Sequence, residues 1–265
     1  MFDLLIKNGT VIDGTGKERF TADVAITGNT IAAIGDLKDA EAAKTIDATG
    51  RIVTPGFIDM HLHEDPVGED GKIQPCIFET MLRMGVTTVL GGNCGINYHD
   101  PVDFLNIVDR DGAAVNVAML AGHEYFRKEA GAADIYAKAT EEQKQTMEQR
   151  IAVALDGGCM GVSFGLRYVP GANKDEFFRA AACCAKDKKL IASHVRDDAD
   201  GVFAAIDEFC AAGVEYGVPV QISHIGSMGG FGQMEAVLRQ IDSYKLRGLD
   251  IAMDCYPYFA FSTKV

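Results

Sequence analysis

Short apolar runs alternate with longer amphipathic segments along most of the chain. Between the apolar runs, residues 141–158, 175–189 and 201–217 carry apolar positions at three- and four-residue spacing, which predicts helices. Strand–helix alternation of this kind predicts an α/β fold with a parallel sheet, and seven strands in series favour a TIM-type (β/α)8 barrel over a doubly wound sheet. The apolar runs that predict strands are residues 56–63, 87–94, 116–123, 161–166, 190–195, 218–224 and 249–258.

The first 54 residues have a different pattern. Their β-branched runs are interrupted by Asn8-Gly9 and Gly28-Asn29, dipeptides suited to hairpin turns, so residues 1–54 predict a small β-sandwich module. The barrel domain is then residues 55–265. Because a barrel needs eight strands and the seventh run ends shortly before Val265, we expect this barrel to be incomplete at its C-terminal side, as in a fragment.

Composition narrows the function classes. The chain has 265 residues, 48% of them hydrophobic, and a net charge of −13, so we expect a globular protein without a nucleic-acid partner. No apolar stretch reaches the ~18 residues of a membrane span and the N-terminus lacks a leader pattern, which predicts a cytoplasmic protein without membrane contact. None of the seven cysteines forms a CxxC pair, and we expect most of them to be reduced thiols in the core, including Cys159, Cys183, Cys184 and Cys210.

Metal-binding side chains recur at the ends of the predicted strands, where parallel α/β folds place their sites. Residues two apart on a strand point to the same side, so one strand end can present two imidazoles as a chelating pair. Imidazole and thiolate are the ligands that Zn²⁺ prefers, and a catalytic zinc leaves a position open for water. The sequence therefore predicts a hydrolytic zinc site whose candidate ligands are His61, His63, Cys94, His194 and His224.

Each candidate also has a simpler explanation. A lone histidine is more often a hydrogen-bonded core or loop residue, which is our interpretation of His99; His123, at the end of the third run, stays open. Four histidines sharing one edge make that explanation improbable for the predicted ligands. Cys94 differs from the other cysteines because glycines flank it in GGNCG, as expected where backbone approaches a ligand closely; Cys76 and Cys255 lack such a context.

These motifs resemble the amidohydrolase superfamily, whose first barrel strand carries PGFIDxHxH, here PGFIDMHLH at residues 55–63. The later blocks resemble more specifically its D-aminoacylase branch, the N-acyl-D-amino-acid deacylases. These blocks are GGNCG, SFGLRYVPG, SHVRD, QISH and DCYPY, and the resemblance spans essentially the whole chain.

The resemblance implies roles for individual residues. Cys94, His194 and His224 would hold one tightly bound zinc ion, while His61 and His63 would form a second, weaker metal position. This branch lacks the carboxylated lysine that other amidohydrolases carry on strand four, and SFGLRY contains no lysine.

Three further residues are candidates for substrate binding. Tyr168 and Tyr256 match blocks that line the substrate pocket, and either tyrosine could donate a hydrogen bond to the scissile carbonyl or be a rim aromatic. Arg196 could pair with a substrate carboxylate or with Asp197 or Asp198.

The sequence departs from the branch at two points. Relatives continue from the strand-six histidine to a lysine that binds the substrate carboxylate, whereas Gly226 stands here. The family's general acid–base is an aspartate on strand eight, beyond residue 265, and Asp254 on strand seven does not replace it, so we expect full activity to need a further C-terminal part.

The implied function is zinc-dependent removal of the N-acyl group from N-acyl-D-amino acids, small-molecule substrates, by an enzyme that could be oligomeric. Two alternatives remain. One is an amidohydrolase acting on a cyclic amide, as dihydropyrimidinases and hydantoinases do, although GGNCG and the missing lysine argue against it. The other is a non-catalytic metal-binding half-barrel, which would bind zinc without hydrolysing any amide.

Overall fold

The computed structural model describes residues 1–63, 66–74, 76–260 and Thr263. The chain divides into two compact units, Met1–Phe57 and Ile58–Val265. The predicted domain boundary after residue 54 lies near this division and stays a prediction. Among the described helices, none has both the length and the apolar character needed to cross a membrane.

The N-terminal unit is one mixed β-sheet. Its central strand is β1, which pairs antiparallel with β2 on one edge and parallel with β4 and then β5 on the other, while β3 pairs with β2. The strands are β1 (Phe2–Val11), β2 (Phe20–Thr27), β3 (Thr30–Gly35), β4 (Ala42–Asp47) and β5 (Ile52–Val53). A sandwich needs a second, facing sheet. The described strands β1 to β5 all join one sheet, because the ten-residue β1 is long enough to take β4 and β5 in tandem. The small β module is thus present, and its arrangement as a sandwich stays a prediction.

The two predicted turns have different outcomes. Gly28-Asn29 joins β2 to β3 with Gly28 at φ 55°, which confirms a two-residue hairpin. Asn8-Gly9 is not a turn but an irregularity inside β1, where the register shifts between Ile6 and Gly9. Asn8, at φ 63°, donates its N–H to Asp23 Oδ1 at 2.8 Å, and a Cβ on Gly9 would lie 2.5 Å from Val53 Cγ2. The dipeptide thus serves a bulge and a close approach, which need the same backbone freedom as a hairpin.

The second unit is α/β. Each predicted strand overlaps a shorter described strand, with β7 starting one residue before the predicted 87–94, and the third run contains two strands, on either side of Leu120. The strands are β6 (Phe57–Asp59), β7 (Val86–Gly91), β8 (Asn116–Met119), β9 (Ala121–Gly122), β10 (Gly161–Gly165), β11 (Leu190–His194), β12 (Val220–Ile222) and β13 (Ile251–Met253). They form a three-stranded sheet, β6-β7-β8, and a five-stranded sheet, β9 to β13 in sequence order, whose neighbours pair in parallel. The α/β class is confirmed, whereas the barrel remains a prediction.

Helices lie between these strands, and their ends follow local signals. α4 starts after Thr140, which forms a reciprocal capping box with Gln143, and α6 ends at Gly217 in the left-handed conformation. α5 is shorter than predicted and is followed by turns in which Lys188 has φ 50°. The helices are α1 (Cys76–Arg83), α2 (Pro101–Asp111), α3 (His123–Glu129), α4 (Glu141–Asp156), α5 (Lys174–Ala182), α6 (Val202–Tyr216), α7 (Ile225–Met228) and α8 (Met234–Leu246).

The core of this unit centres on Phe164 of β10, which packs against Phe177 of α5, with Phe209 of α6 beside Phe177. The predicted core cysteines belong to it: burial raises the pKa of Cys159, Cys184 and Cys210 to about 12. Half-buried Cys183, whose pKa burial raises to about 11, packs against this core. These four thiols are protonated, as expected for small hydrophobic residues.

Candidate metal centre

Cys94 lies on a tight 3₁₀ turn, Asn93–Gly95, directly after β7. Its backbone is in the left-handed region at φ 54°, and its side chain is buried. The turn has no spare room: a Cβ on Gly165 would lie 2.2 Å from Cys94 O, and one on Gly92 would lie 2.4 Å from Leu120 O. The glycines around Cys94 are therefore required by close packing against other backbone, whereas GGNCG was interpreted as a close approach to a ligand.

His61 and His63 follow β6. The His61 N–H donates to Asp59 Oδ1 at 3.0 Å, and Nε2 of His61 lies 3.1 Å from Nε2 of His63. The predicted strand ran to residue 63, whereas the described strand ends at Asp59, so both imidazoles meet just beyond its end rather than on it.

His194 ends β11, and His224 follows β12. His224 has φ 35°, and its Nδ1 lies 3.0 Å from Ser227 Oγ, which leaves Nε2 to face the cluster. The two imidazole rings are close, with centroids 4.5 Å apart. Burial, followed by the neighbouring imidazoles, lowers the pKa of His194 to about 3 and that of His224 to about 4. Both rings are therefore neutral at pH 7, the form that binds a metal.

The five predicted ligands form two triads that share Cys94. One triad is His61, His63 and Cys94, and the other is Cys94, His194 and His224; within each, the ligand atoms lie within 4.8 Å of one another. Cys94 Sγ is 3.5 Å from Nε2 of His61 and 3.5 Å from Nε2 of His224. Zinc bond lengths of ~2.0–2.3 Å at tetrahedral angles place ligand atoms roughly 3.3–3.8 Å apart. The cluster has the dimensions of a metal centre.

Two further observations fit a metal ion. The donor set of imidazole nitrogens and one sulfur is the set zinc prefers. In addition, buried Nδ1 of His194 has no hydrogen-bond partner among the described residues, and a buried polar atom of this kind calls for an explanation such as a bound ion.

Asp254, just after β13, contacts two of the candidate ligands on the side away from their Nε2 atoms. Oδ1 accepts the His224 N–H at 2.6 Å and lies 3.3 Å from His61 Nδ1, while Oδ2 accepts from Gln221 Nε2 at 2.9 Å. Burial raises the pKa of Asp254, but His61, Gln221 and the His224 N–H outweigh burial and lower it overall. A carboxylate on Nδ1 orients an imidazole so that Nε2 points at the metal.

A family model for amidohydrolases matches residues 52–221. The chain belongs to the amidohydrolase family. It is 37% identical to the N-acyl-D-glutamate deacylase of Alcaligenes xylosoxydans xylosoxydans, over 98% of this chain and 58% of that protein. The chain thus spans 58% of the length of this relative.

Two solved structures agree with this amidohydrolase assignment. The N-acyl-D-glutamate deacylase of Bordetella bronchiseptica, complexed with zinc and a phosphonate mimic of the tetrahedral intermediate, has a TM-score of 0.86 and 34% identity, covering 97% of this chain and 59% of that one. A D-aminoacylase with a binuclear metal centre has a TM-score of 0.84 and 31% identity over the same shares. The resemblance to the D-aminoacylase branch is confirmed.

The two tyrosines predicted to bind substrate differ in their contacts with the metal cluster of this amidohydrolase. The Tyr168 ring lies 4.4 Å from the His194 ring between centroids, and its hydroxyl is 2.7 Å from Thr263 Oγ1. Burial raises the pKa of Tyr168, so its phenol is protonated and can donate. Tyr256 is half-buried two residues after Asp254, and the described contacts do not join its side chain to the metal cluster.

Arg196 pairs with neither Asp197 nor Asp198, the two neighbouring carboxylates considered for it. Its guanidinium forms a two-point pair with Glu208 of α6, at 2.7 and 3.1 Å. Arg196 and Arg167 line a cavity of about 280 Å³ together with Leu166 and Pro170. Arg167 is the residue that bonds Asp197, at 2.8 Å.

Two other residues of the amidohydrolase can now be placed. His123 is fully buried and lies 2.9 Å from Glu176 Oε1 through Nε2, outside both metal triads, so its partner is a carboxylate of α5. Gly226, on α7, borders Cys255: a Cβ on Gly226 would lie 2.8 Å from Cys255 Sγ.

Sequence reasoning missed the residues that hold the ligands. Asp254 was set aside because it is not on strand eight, yet a carboxylate at a strand end beside predicted histidine ligands was a usable signal. Gln221, which bonds Asp254, and Glu208, which bonds Arg196, gave no such signal. Their partners lie on other elements, 33 residues away for Gln221 and 12 for Glu208.

Proposed function

We propose that this chain forms the metal-binding part of a zinc-dependent hydrolase that removes the acyl group from N-acyl-D-amino acids. The observation that carries the proposal is the sharing of Cys94 by two ligand triads. The names of the relatives support the substrate class, because the sequence and structural similarities both include N-acyl-D-glutamate deacylases.

The two metal positions differ in burial. Cys94 is common to both triads, His194 is 7% exposed, and His224, His61 and His63 are all half-buried, so the difference rests on His194. We assign the tightly bound zinc to Cys94, His194 and His224, and a second, weaker site to His61 and His63 with Cys94. The binuclear centre of the similar D-aminoacylase, in which one metal activates and a second attenuates, supports this ranking.

The chemistry that bound zinc supplies is Lewis-acid polarisation of the amide carbonyl and a lowered pKa for a water nucleophile. The remaining steps belong to the protein. Asp254 holds His61 and the backbone of His224 in place, and both of its oxygens already accept or face donors, so it acts as a positioning residue. Tyr168, protonated and beside His194, is placed to donate a hydrogen bond to the substrate carbonyl.

Arg196 is our candidate for the residue that binds a substrate carboxylate. Glu208 engages Nε and one terminal nitrogen of its guanidinium, which leaves the N–H groups of the other terminal nitrogen for a ligand in the adjoining cavity. Tyr256 remains a candidate for the rim of the substrate pocket.

We further propose that β6 to β13 belong to a (β/α)8 barrel, supported by the parallel pairing and by the strand–helix alternation. A cytoplasmic location is supported by the cysteines, since those the structure describes form no disulfide and most are buried.

The test is a comparison of zinc content and amide hydrolysis in the wild type, Cys94→Ala and Cys159→Ala. Cys159 is also fully buried but lies in the core away from the triads, so its substitution is the matched control. We expect Cys94→Ala to lose tightly bound zinc, measured by elemental analysis after dialysis, and Cys159→Ala to keep it.

Hydrolysis is measured on N-acyl-D-amino acids, their L-enantiomers and a hydantoin, with the 265-residue chain and with one extended by the codons that follow. D-selective hydrolysis that depends on Cys94 is the expected result. Hydantoin turnover would favour the cyclic-amide alternative, and zinc binding without any turnover in both chains would favour a binding domain.

A further inference from the structure

One buried hydroxyl group forms hydrogen bonds to both ends of the turn that carries Cys94. Ser163, in the middle of β10, is fully buried, and its Oγ accepts the Gly95 N–H at 2.9 Å and donates to the Gly92 carbonyl. These two backbone groups flank Cys94 on either side. The hydroxyl therefore bridges the beginning and the end of the turn that presents the ligand.

Ser163 lies on β10, which is paired with a strand on each side. It pairs with Gly122 of β9 and Ala192 of β11, and two residues further along β10, Gly165 pairs with the ligand His194. The Ser163 hydroxyl therefore fixes the position of the Cys94 turn relative to His194 on the neighbouring strand. The turn needs such support, because Cys94 has a left-handed backbone that a side chain adopts only at a cost.

A second buried side chain links the turn to the other triad. Asn93 is fully buried, and its Nδ2 donates to Leu90 O at 2.8 Å and to Met60 O at 3.3 Å. Met60 directly precedes His61. Asn93 therefore ties the turn to the segment after β6 that carries His61, while Ser163 ties it to β10, the strand beside that of His194.

We propose that Ser163 is a positioning residue that sets where the Cys94 thiolate meets the metal. The inference rests on the proposed metal centre and assigns Ser163 no contact with substrate or metal. Outer partners of metal ligands typically change metal affinity by ~10–100-fold when removed. Removing the Ser163 hydroxyl should therefore weaken zinc binding by roughly that factor while leaving all five ligands in place.

The experiment compares the wild type, Ser163→Ala, Ser163→Thr and Val162→Ala. Val162 is the neighbouring β10 residue, fully buried in the hydrophobic core, so its truncation perturbs the same strand without touching the turn. Zinc dissociation constants are measured by competition with a chromophoric chelator, and thiolate ligation is followed by the sulfur-to-metal charge-transfer absorption of the cobalt-substituted protein. Circular dichroism verifies folding, and hydrogen exchange of the Gly95 amide follows the contact itself.

We expect Ser163→Ala to bind zinc ~10–100-fold more weakly, with an altered cobalt–thiolate absorption and faster exchange at Gly95. Ser163→Thr, which keeps the hydroxyl, and Val162→Ala should keep wild-type affinity. Wild-type affinity and spectrum in Ser163→Ala would overturn the role of Ser163 alone. A wild type that binds no zinc would overturn the metal centre and this inference with it.

If Ser163→Ala does not fold, the Ser163→Thr variant tests whether the hydroxyl contact sets zinc affinity. A folded Ser163→Thr with an unchanged Gly95 amide and weak zinc binding would show that the hydroxyl contact does not set affinity. Equal losses in Val162→Ala and Ser163→Ala would likewise overturn the proposal, because packing of β10 would then explain both.

Discussion

At the scale of single residues, the two ligands Cys94 and His224 both have positive φ angles, 54° and 35°. Left-handed backbone costs a non-glycine residue of order 1–3 kcal/mol and persists only where the surroundings hold it. Around Cys94 the surroundings are glycines with no room for a side chain, and around His224 they are the Asp254 carboxylate and the Ser227 hydroxyl. Both strained residues lie in the metal cluster, where a fixed ligand position matters most.

Asp254→Asn should weaken zinc binding by ~10–100-fold, because an amide supports His61 Nδ1 and the His224 N–H less well than a carboxylate. The measurement is a zinc dissociation constant by chelator competition. Asp250→Asn is the control, since Asp250 is an exposed aspartate just before β13. Equal affinities in the two variants would remove Asp254 from the support of the cluster.

His123→Ala should leave zinc affinity unchanged, since His123 bonds Glu176 and belongs to neither triad. Its effect should be on stability instead, seen as a lower midpoint in urea denaturation. Loss of zinc from a folded His123→Ala protein, detected by elemental analysis, would show that the ligand set is incomplete.

Glu176, 1% exposed between His123 and Arg127, should make stability depend on pH. Burial raises its pKa, but His123 and Arg127 outweigh burial, so the pKa is lowered overall. The carboxylate therefore stabilises the fold above its unfolded pKa of about 4.3, and this contribution is lost as pH falls through the lower folded pKa.

Glu176→Gln should accordingly cost about 3–5 kcal/mol near pH 7, because it leaves the buried Arg127 without its carboxylate. The difference from the wild type should shrink as pH falls below ~4.3. Urea denaturation across this range measures it. Glu235→Gln is the control, as Glu235 is 83% exposed in its pair with Arg239; a difference that does not vary with pH would contradict the assignment.

At the scale of secondary-structure elements, α4 shows how a short signal sets a helix start. Thr140 Oγ1 accepts the Gln143 N–H, and the Gln143 side chain accepts the Thr140 N–H. Thr140→Ala should lower the free energy of unfolding by about 1 kcal/mol, measured in urea. Thr146→Ala, on the same helix but outside the cap, is the control and should have a smaller effect; a larger loss there would mean that the cap is not what stabilises the start of α4.

The elements were predictable because their signals are local. Each predicted strand of the second unit overlaps a described strand, and the five candidate ligands, which lie at or just after strand ends, come together in one cluster. What stayed hidden depends on pairs distant in sequence: Asn8-Gly9 forms a bulge only because Asp23 and Val53 lie beside it, and Arg196 reaches Glu208 on α6. Periodicity cannot report such contacts, since it describes one segment at a time.

At the scale of the whole molecule, the proposed metal ligands span residues 61 to 224, so a bound ion would join segments far apart in the chain. Binding to the folded state alone should raise the free energy of unfolding, by about 4 kcal/mol at a free zinc concentration ~1,000 times the dissociation constant. Thermal unfolding with and without zinc measures this shift. Cys94→Ala should show little of it, and an equal shift in that variant would place zinc elsewhere.

The contact between Gly226 and Cys255 constrains how position 226 could change by mutation. Any side chain at position 226 brings a Cβ to 2.8 Å from the Cys255 sulfur, so the thiol has to turn away. Cys255 is exposed, so rotation of its thiol is enough to admit the new Cβ. The orientation of this one thiol therefore sets the room for a new charge near His224.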